Sequence, residues 1–207
     1  MTVETPAFTR LTPGQRQRRQ RILDAAVGLA AEGGYDAVQM REVSLRAEVA
    51  LGTLYRYFSS KEHLLVSALA DEVAALRDRL IERPPRGDDD AERVMDVIRR
   101  STRALQRQPN VISAMLKSLI SSGAGVGEAV APIGVQMTEI VVAAMRHDDA
   151  ETVAHDRAVA EVIQQVWLAS LLWWVAGRAP ARLVEEKVGR AVTLLLPGGE
   201  PCLRVDD

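Results

Sequence analysis

Apolar residues recur at helical spacing along most of this chain, and that periodicity constrains the fold more than any other feature of the sequence. In the first segment they lie at positions i, i+3, i+4 and i+7: Ile22, Ala25, Ala26 and Leu29. This spacing places them on one face of an α-helix. Alternating apolar and polar runs rich in Val, Ile and Thr, which would indicate strands, are absent from residues 12–196. The sequence therefore predicts an all-α protein.

Residues that end or cap helices divide the chain into nine predicted helices. Gly33-Gly34 and residues 84–87 end helices, and Ser59-Ser60-Lys61-Glu62 has the S-x-x-E spacing of a capping box. The predicted helices cover about residues 15–32, 39–47, 51–57, 61–81, 91–106, 109–121, 127–146, 151–177 and 181–196. Three short helices are thus followed by a long connecting helix and a larger helical body.

Charge is distributed unevenly between these two parts. The whole chain of 207 residues has a net charge of −2, which on its own argues against a nucleic-acid partner. Residues 1–61, however, carry nine Lys and Arg against six Asp and Glu, a net charge of +3. A basic N-terminal part on an acidic body indicates that nucleic acid, if bound, is bound by the N-terminal part.

Residues 40–58 have the dimensions of a helix-turn-helix, in which the second helix can enter the major groove of DNA. Two i, i+4 pairs can form its small core, with Val49 in the turn between them: Val43 with Ala47, and Leu54 with Phe58. With Leu54 facing inward, the solvent face of the second helix consists of Gly52, Thr53, Tyr55 and Arg56. These residues suit close approach to a groove and hydrogen bonds to guanine and phosphate. A solvated helical hairpin with an incidental arginine is the alternative.

Cations also crowd two predicted helix N-termini, where the helix dipole disfavours each of them by roughly 0.3–1 kcal/mol. They are Arg16, Arg18, Arg19 and Arg21 in the first helix, and Lys61 in the fourth. A bound anion would offset this cost, and DNA phosphate is the candidate. The alternative is a solvated basic face.

Two stretches, Gly34-Tyr35-Asp36-Ala37-Val38-Gln39-Met40-Arg41-Glu42-Val43 and Gly52-Thr53-Leu54-Tyr55-Arg56-Tyr57-Phe58-Ser59-Ser60-Lys61-Glu62, resemble the TetR family of transcriptional regulators. The resemblance extends over about residues 16–69. The chain departs from the family pattern at Ser44, Glu48 and Ala50, where the family usually has Ala, a turn Gly and an N-cap Ser. We expect positive φ at Glu48, with some strain. The resemblance implies a three-helix DNA-binding domain followed by a larger helical domain for ligand binding and dimerisation.

This resemblance also implies a domain organisation and a DNA-binding surface. The predicted parts are a disordered N-terminal arm (1–14), a helix-turn-helix domain (15–60), a regulatory and dimerisation domain (61–197) and a C-terminal tail (198–207). Residues 38–41, 49–58 and 63–69 are similar to actinobacterial repressors of sterol catabolism within the family, and residues 166–168 and 171–172 more faintly so. The predicted contacts to a palindromic operator in double-stranded DNA are Arg16, Arg18, Gln39, Arg41, Gly52, Thr53, Tyr55, Arg56, Tyr57 and Lys61.

The helix predicted over residues 151–177 is apolar on more than one side, so that both sides must be buried. One side can face the core and the other a partner, although a central helix of a monomer has the same pattern. The resemblance implies a homodimer through the last two helices. The expected interface residues are Leu168, Leu171, Leu172 and Val175.

Adaptable aliphatic packing in the body suits an apolar cavity, although plain core is the more common meaning of such a stripe. The predicted pocket residues are Met95, Met115, Met137, Val141 and Trp167. The resemblance implies an apolar effector, an acyl-CoA or a sterol-derived molecule, whose binding releases a repressor from DNA.

Other classes of function find little support in the sequence. Gly123-Ala124-Gly125-Val126-Gly127 resembles a dinucleotide fingerprint, but position 128 is Glu and a predicted helix precedes it. The three histidines and Cys202 have no metal-ligand spacing, and no nucleophile, zincin or P-loop motif is present. We therefore predict no catalytic residue, no metal and no cofactor.

The remaining expectations concern location and partners. The strongly apolar run at residues 166–177 is shorter than the roughly 18–20 residues that span a bilayer, no signal peptide is visible, and a single cysteine cannot form an intrachain disulfide. We therefore expect a cytoplasmic protein without a membrane partner. An all-helical adaptor that binds only protein is the alternative function, but it leaves the arginines unexplained.

Overall fold

The structure is a computed structural model that describes residues 11–121, 127–147 and 149–196. Within these ranges the chain forms nine α-helices and no strand, so the all-α prediction is confirmed. They are α1 (Pro13–Ala37), α2 (Met40–Arg46), α3 (Leu51–Tyr57), α4 (Lys61–Glu82), α5 (Asp90–Gln106), α6 (Pro109–Ser121), α7 (Gly127–Met145), α8 (Ala150–Val175) and α9 (Arg182–Leu195). Most of the predicted N-terminal arm, the C-terminal tail, Cys202 and residues 123–126 of the glycine-rich motif lie outside the described residues.

The first three helices form the head of the molecule around a small apolar core. α1 begins with a capping box between Thr12 and Gln15, and its regular part ends at Gly33 and Gly34, as predicted. Gly34 has a φ of 66°, which a residue with a side chain rarely adopts. The core is closed by fully buried side chains from all three helices and the residue after α3: Ile22, Ala26, Val43, Leu54 and Phe58.

Two local features of the head test the sequence predictions. Glu48, in the turn between α2 and α3, has a φ of 53°, as expected from its place in the motif. The predicted capping box at Ser59 is wrong, because Ser60 is the N-cap of α4 and its hydroxyl accepts a hydrogen bond from the His63 N–H at 3.1 Å. Glu62 does not complete a box with Ser59, since its carboxylate accepts a hydrogen bond from the Tyr35 hydroxyl.

The body consists of α4 to α9, and α4 joins it to the head. α4 packs on α6 and α7, α8 lies between α7 and α9, and α5 packs on α7 and α9. α1 packs on both α4 and α6. The head is therefore attached to two helices of the body rather than to one.

α8 is long and apolar enough to cross a membrane by length and composition alone. Its packing gives another reason for that composition, because one face is buried in the body through Val159, Ile163, Trp167 and Leu171. The Trp167 indole N–H donates a buried hydrogen bond of 3.0 Å to the Thr102 hydroxyl in α5. α8 is thus a core helix of the body along this face.

A histidine ties the α7–α8 loop to two helices. Nδ1 of His147 lies 2.7 Å from a carboxylate oxygen of Asp156 in α8, and its Nε2 lies 3.4 Å from one of Asp90 in α5. The hydrogen bond with the buried Asp156 raises the pKa of His147 above its ordinary value of 6.5. The protonated imidazole therefore stabilises this junction.

Candidate functional site

The outward face of α3 carries the residues that the sequence predicts to read DNA. Gly52, Tyr55 and Arg56 are exposed, with Tyr55 at 49%, while Thr53 is half-buried. Tyr57 is also half-buried and packs against the head core. Among the described residues no carboxylate lies within ion-pair distance of Arg56, whose guanidinium lies 3.5 Å from the Thr53 hydroxyl. This face presents an unpaired cation and hydroxyl groups to a partner.

Gly52 shows that this face is not explained by packing within the chain. A Cβ atom placed on Gly52 would meet no atom within 4 Å, and the backbone of α3 is regular at this residue. Glycine in a helix is destabilising by roughly 0.5–1 kcal/mol relative to alanine. The fold alone therefore does not require glycine here, whereas close approach of an external backbone or groove would.

The start of α2 adds two exposed polar side chains to the helix-turn-helix. Gln39 is the N-cap residue of α2, but its side chain makes no capping hydrogen bond. Arg41 in the first turn is exposed, and none of the ion pairs among the described residues includes it. Both side chains are available to a partner, as the prediction requires.

The arginines of α1 divide into two kinds. Arg16 is exposed and donates a hydrogen bond of 2.7 Å to the Leu11 carbonyl, and Arg18 is half-buried. Arg19, in contrast, donates two hydrogen bonds of 2.8 and 3.1 Å to the carboxylate of Asp71 in α4. Its guanidinium also lies 5.8 Å from the centroid of the Phe58 ring. The hypothesis that these arginines bind DNA phosphate is thus wrong for Arg19, which instead joins the head to α4.

Lys61 lies in a group of side chains that we call the Tyr35 cluster, which consists of Tyr35, Lys61, Glu62 and Lys117. The Lys61 ammonium donates a hydrogen bond of 3.1 Å to the Tyr35 carbonyl and lies 3.7 Å from the ring centroid. Lys117 of α6 lies 4.3 Å from the same centroid and 3.8 Å from Asp36. The hydrogen bond to Glu62 raises the pKa of Tyr35 to about 12 and lowers the pKa of Glu62. Lys61 already has partners here, so its contact with phosphate stays a prediction.

His63, in the first turn of α4, differs from His147 in its surroundings. Its ring packs edge-on against Phe58, with the two ring centroids 5.6 Å apart. Burial, and then the nearby charge of Arg19, lower the pKa of His63 below its ordinary value of 6.5. The neutral imidazole is therefore the form that the head stabilises.

The body contains an apolar cavity of about 380 Å³ between α4, α5, α6, α7 and α8. Three predicted pocket residues line it: Met115, Met137 and Trp167. Most of the wall is aliphatic, and five polar side chains interrupt it: Glu72, Arg79, Ser101, Gln108 and Gln164. Its volume lies within the range of about 300–1,000 Å³ that is typical of ligand sites in proteins.

Four predicted body residues lie elsewhere than expected. Val141 is buried in the core and does not line the cavity, and Met95 packs near Gly189 of α9. Leu168 and Leu171 line the cavity, and Leu171 is only 3% exposed, so these two do not lie on a free surface of α8. The other two predicted interface residues, Leu172 and Val175, are half-buried.

The exposed apolar face of α8 consists of other residues. Val162 and Trp173 are 44% and 52% exposed, and Leu194 of α9 is 84% exposed. Val162, Val166, Ala169 and Trp173 follow one another at spacings of four, three and four residues, which places them on one helix face. This spacing was a signal in the sequence that could have found the stripe. We call these four residues the α8 stripe.

A helix-turn-helix with an exposed second helix, joined to a larger helical domain, defines a DNA-binding regulator. Family models support this class over most of the chain. Residues 22–68 match "Bacterial regulatory proteins, tetR family", and residues 87–195 match "Tetracyclin repressor-like, C-terminal domain". The chain therefore belongs to the TetR family and is a transcriptional regulator of the repressor type.

Individual relatives agree with this assignment. The HTH-type transcriptional repressor KstR of Rhodococcus jostii (strain RHA1) is 43% identical over 185 residues, which cover 89% of this chain and 85% of the relative. A TetR transcriptional regulator from Rhodococcus sp. RHA1 has a solved structure with a TM-score of 0.76 and 32% identity, covering 89% and 97% of the two chains. The fold is also that of FadR from Bacillus subtilis in complex with stearoyl-CoA, with a TM-score of 0.64 and 21% identity over 84% of this chain and 97% of FadR.

These similarities decide between the two functions that the sequence left open. TetR-family proteins are DNA-binding transcriptional regulators, and the chain has both of the family's domains. An adaptor that binds only protein would not need the exposed face of α3. The adaptor alternative is therefore not supported.

Proposed function

We propose that this protein is a homodimeric repressor that binds a palindromic operator and leaves it when an apolar effector fills the cavity. The observation that carries the proposal is the attachment of the head to two helices that line the cavity. α1 packs on α4 and α6, and both of these helices also line the cavity. Occupation of the cavity can therefore change the position of the DNA-binding surface.

The DNA-binding surface of the proposal consists of the predicted residues on α1, α2, α3 and at the start of α4. Arg56 reads a base from α3, with Gly52 allowing close approach and Thr53 and Tyr55 contacting phosphates or base edges. The available side chains of Gln39 and Arg41 support contacts from α2. Arg16, Arg18, Tyr57 and Lys61 complete the set. In this proposal residues 15–60 form the DNA-binding domain and residues 61–197 the regulatory and dimerisation domain, and the protein acts in the cytoplasm.

Dimerisation in this proposal uses the α8 stripe together with α9, not Leu168 and Leu171. Exposed apolar stripes of this kind mark interaction sites in proteins. Trp173 lies beside Lys187 of α9, whose ammonium is 5.7 Å from the centroid of the indole ring, so the stripe borders α9. A second copy of the chain related by a twofold axis would cover both helices and present two α3 helices to a palindrome.

The effector of the proposal is an acyl-CoA or a sterol-derived molecule. The aliphatic lining, the cavity volume and the fold shared with a FadR that was solved with stearoyl-CoA support this class. Burial of an apolar chain or ring system supplies roughly 0.8 kcal/mol per CH₂. A change of the dimer from 1:99 to 99:1 between its two states requires about 5.5 kcal/mol of differential affinity. A long chain or a fused ring system is large enough to provide that.

Two sets of contacts connect the cavity to the head. Asp71, which pairs with Arg19, is adjacent to Glu72 in the cavity wall of α4. On α6, the Asn110 amide donates a hydrogen bond of 3.1 Å to the Ala31 carbonyl of α1, and the Lys117 ammonium lies 4.3 Å from the centroid of the Tyr35 ring. A ligand that separates α4 from α6 would therefore shift α1, and with it the distance between the two α3 helices of the dimer.

The test begins with selection of the genomic DNA fragments that the purified full-length chain binds. Long-chain and sterol-derived CoA thioesters are then titrated against the preformed complex with the selected operator. We expect release of the operator and, by thermodynamic linkage, an equal weakening of effector binding by DNA. Thioesters that bind the free protein and leave operator affinity unchanged would contradict the coupling. Failure of every thioester to bind would contradict the effector class, and failure to select any DNA would contradict the operator.

A further inference from the structure

A groove of about 320 Å³, lined by residues of α7 and α8, carries five polar side chains. Its lining is Ala131, Gly134, Val135 and Thr138 from α7 and Arg157, Glu161, Gln164 and Gln165 from α8. Ala131, Gly134 and Gln164 also line the apolar cavity. The groove and the cavity therefore adjoin at these three residues.

From this junction we infer that the effector is an amphiphile whose apolar body fills the cavity and whose neutral, hydrogen-bonding arm passes Gly134 and lies in the groove. The inference rests on the proposed function, because it concerns the effector of the same cavity. It adds the chemistry of the arm and the place where the arm leaves the cavity.

Gly134 lies at the junction, because it lines both the cavity and the groove. A Cβ atom on this residue would lie 3.7 Å from Nε2 of Gln164, an ordinary van der Waals contact. Alanine would therefore fit, and alanine is the better residue in the middle of a helix. Packing within the chain does not account for a glycine here. A longer side chain, by contrast, would extend toward Gln164 and occupy the junction.

Gln164 offers hydrogen-bond donors at the same point. Its Oε1 accepts a hydrogen bond of 2.9 Å from the Thr138 hydroxyl, which orients the amide. Among the described residues no acceptor engages its Nε2 group, which lies next to Gly134. Two oriented N–H donors are thus available to a carbonyl that passes between α7 and α8.

The charges along the groove favour a neutral arm over an anionic one. Arg157 is paired with Glu139 at 2.7 Å, and Glu161 adds a further negative charge. The other polar groups are hydroxyl and amide groups, from Thr138, Gln164 and Gln165. Amide carbonyls and hydroxyls match this lining, whereas a carboxylate would face Glu161 without a free cation in the described wall. The pantetheine arm of an acyl thioester has this chemistry.

The experiment compares two probes of equal chain length by calorimetry on the full-length chain. One is the thioester of dodecanoic acid with pantetheine, which has the neutral arm, and the other is dodecan-1-ol, which lacks it. The key variant is Gly134→Leu and its matched control is Gly134→Ala, which adds a methyl group in ordinary contact. We expect Gly134→Leu to weaken binding of the thioester by at least about ten-fold and binding of dodecan-1-ol by less than about three-fold. Gly134→Ala should leave both affinities unchanged.

The outcomes separate this inference from the proposed function. If Gly134→Leu weakens binding of both probes equally, the substitution has only narrowed the cavity, and the inference is wrong. If Gly134→Leu binds both probes as tightly as the parent does, the arm leaves by another route, for example past Glu72 and Arg79, and the inference is again wrong. If dodecan-1-ol releases the operator and the thioester binds the parent no more tightly than dodecan-1-ol, the groove has no role while the proposed function stands. If neither probe binds the parent, the inference is wrong, while the proposed function is decided separately by the titration of the operator complex with CoA thioesters.

Discussion

The head and the body of this protein differ in how completely their interiors are packed. The head, α1 to α3, closes a small core around Ile22, Leu54 and Phe58, each at most 1% exposed. The body buries many more apolar side chains, yet it retains a cavity of about 380 Å³. Protein interiors are normally packed as densely as organic crystals, so such a void forfeits contacts. The difference indicates that the head requires one rigid shape, whereas the body retains room for a second component.

The largest expected effect compares the same substitution in the two regions. Leu54→Ala, in the closed core of the head, should destabilise by about 3–5 kcal/mol, toward the upper part of the range for such truncations. Leu116→Ala, in the cavity wall, should cost roughly 2 kcal/mol or less, because this side chain already lacks partners on one side. Urea unfolding followed by circular dichroism measures both. Equal losses would show that the cavity wall is packed as tightly as the head.

The second-largest expected effect is on DNA recognition and leaves folding stability unchanged. Arg56→Ala should weaken binding to the specific operator by about 1–3 kcal/mol if Arg56 reads a base. Stability and effector binding should stay at the parent's values, since no described ion pair of the fold includes Arg56. Fluorescence anisotropy with specific and random duplexes measures the effect, with Arg56→Lys as the control that retains charge but not bidentate geometry. A uniform loss on all duplexes would assign Arg56 to phosphate rather than to a base.

A smaller effect tests whether the two regions communicate through α4. Asp71→Asn removes the charge that pairs with Arg19 and should change the coupling between effector and operator by about 0.5–2 kcal/mol. Effector affinity of the DNA-free protein should change little, because Asp71 does not line the cavity. Asp78→Asn, in a more exposed pair with Arg77 on the same helix, is the matched control. Unchanged coupling in Asp71→Asn would place the connection on the α6 side instead.

The smallest effect is a pH dependence of opposite sign in the two regions. The pKa of His147 is raised, so its contribution to stability is complete below about pH 6.5, its unfolded value, and is lost as the pH rises through the folded pKa. The pKa of His63 is lowered, so its contribution is present above about pH 6.5 and is lost as the pH falls toward the folded pKa. NMR titration of the two imidazoles, with His147→Gln and His63→Gln for assignment, measures both. Shifts in the same direction would remove this contrast.

The sequence allowed much of the head to be predicted and less of the body. α3 has the predicted bounds, Leu51–Tyr57. Two i, i+4 apolar pairs and a family motif that covers this short helix also determine which of its faces is buried. What sequence reasoning missed in the head depends on distant partners. Asp71, which binds Arg19, lies 52 residues away. Glu62 is engaged by Tyr35, so the capping pattern that begins at Ser59 was misleading.

In the body, the helices were predicted within one or two residues, but the faces of α8 were not. Leu168 and Leu171 follow an apolar row as convincing as that of the α8 stripe, since α8 is apolar on several sides. Periodicity identifies a face only when the opposite face is polar. Met115, Met137 and Trp167 were found in the cavity wall, whereas Met95 and Val141 pack elsewhere. A methionine side chain fills core and cavity wall equally well.

The hydrogen bond between Trp167 and Thr102 gives the protein an internal optical reporter. Trp167 lines the apolar cavity, whereas Trp173 lies on the exposed stripe of α8. Indole emission depends on the polarity around the ring and on the partner of its N–H group. A molecule entering the cavity would alter the emission of Trp167, and a second subunit covering α8 would alter that of Trp173. Phe substitutions at Trp173 and Trp174 would leave Trp167 as the only tryptophan of the chain and allow cavity occupation to be followed in real time, without a label, in the presence of DNA.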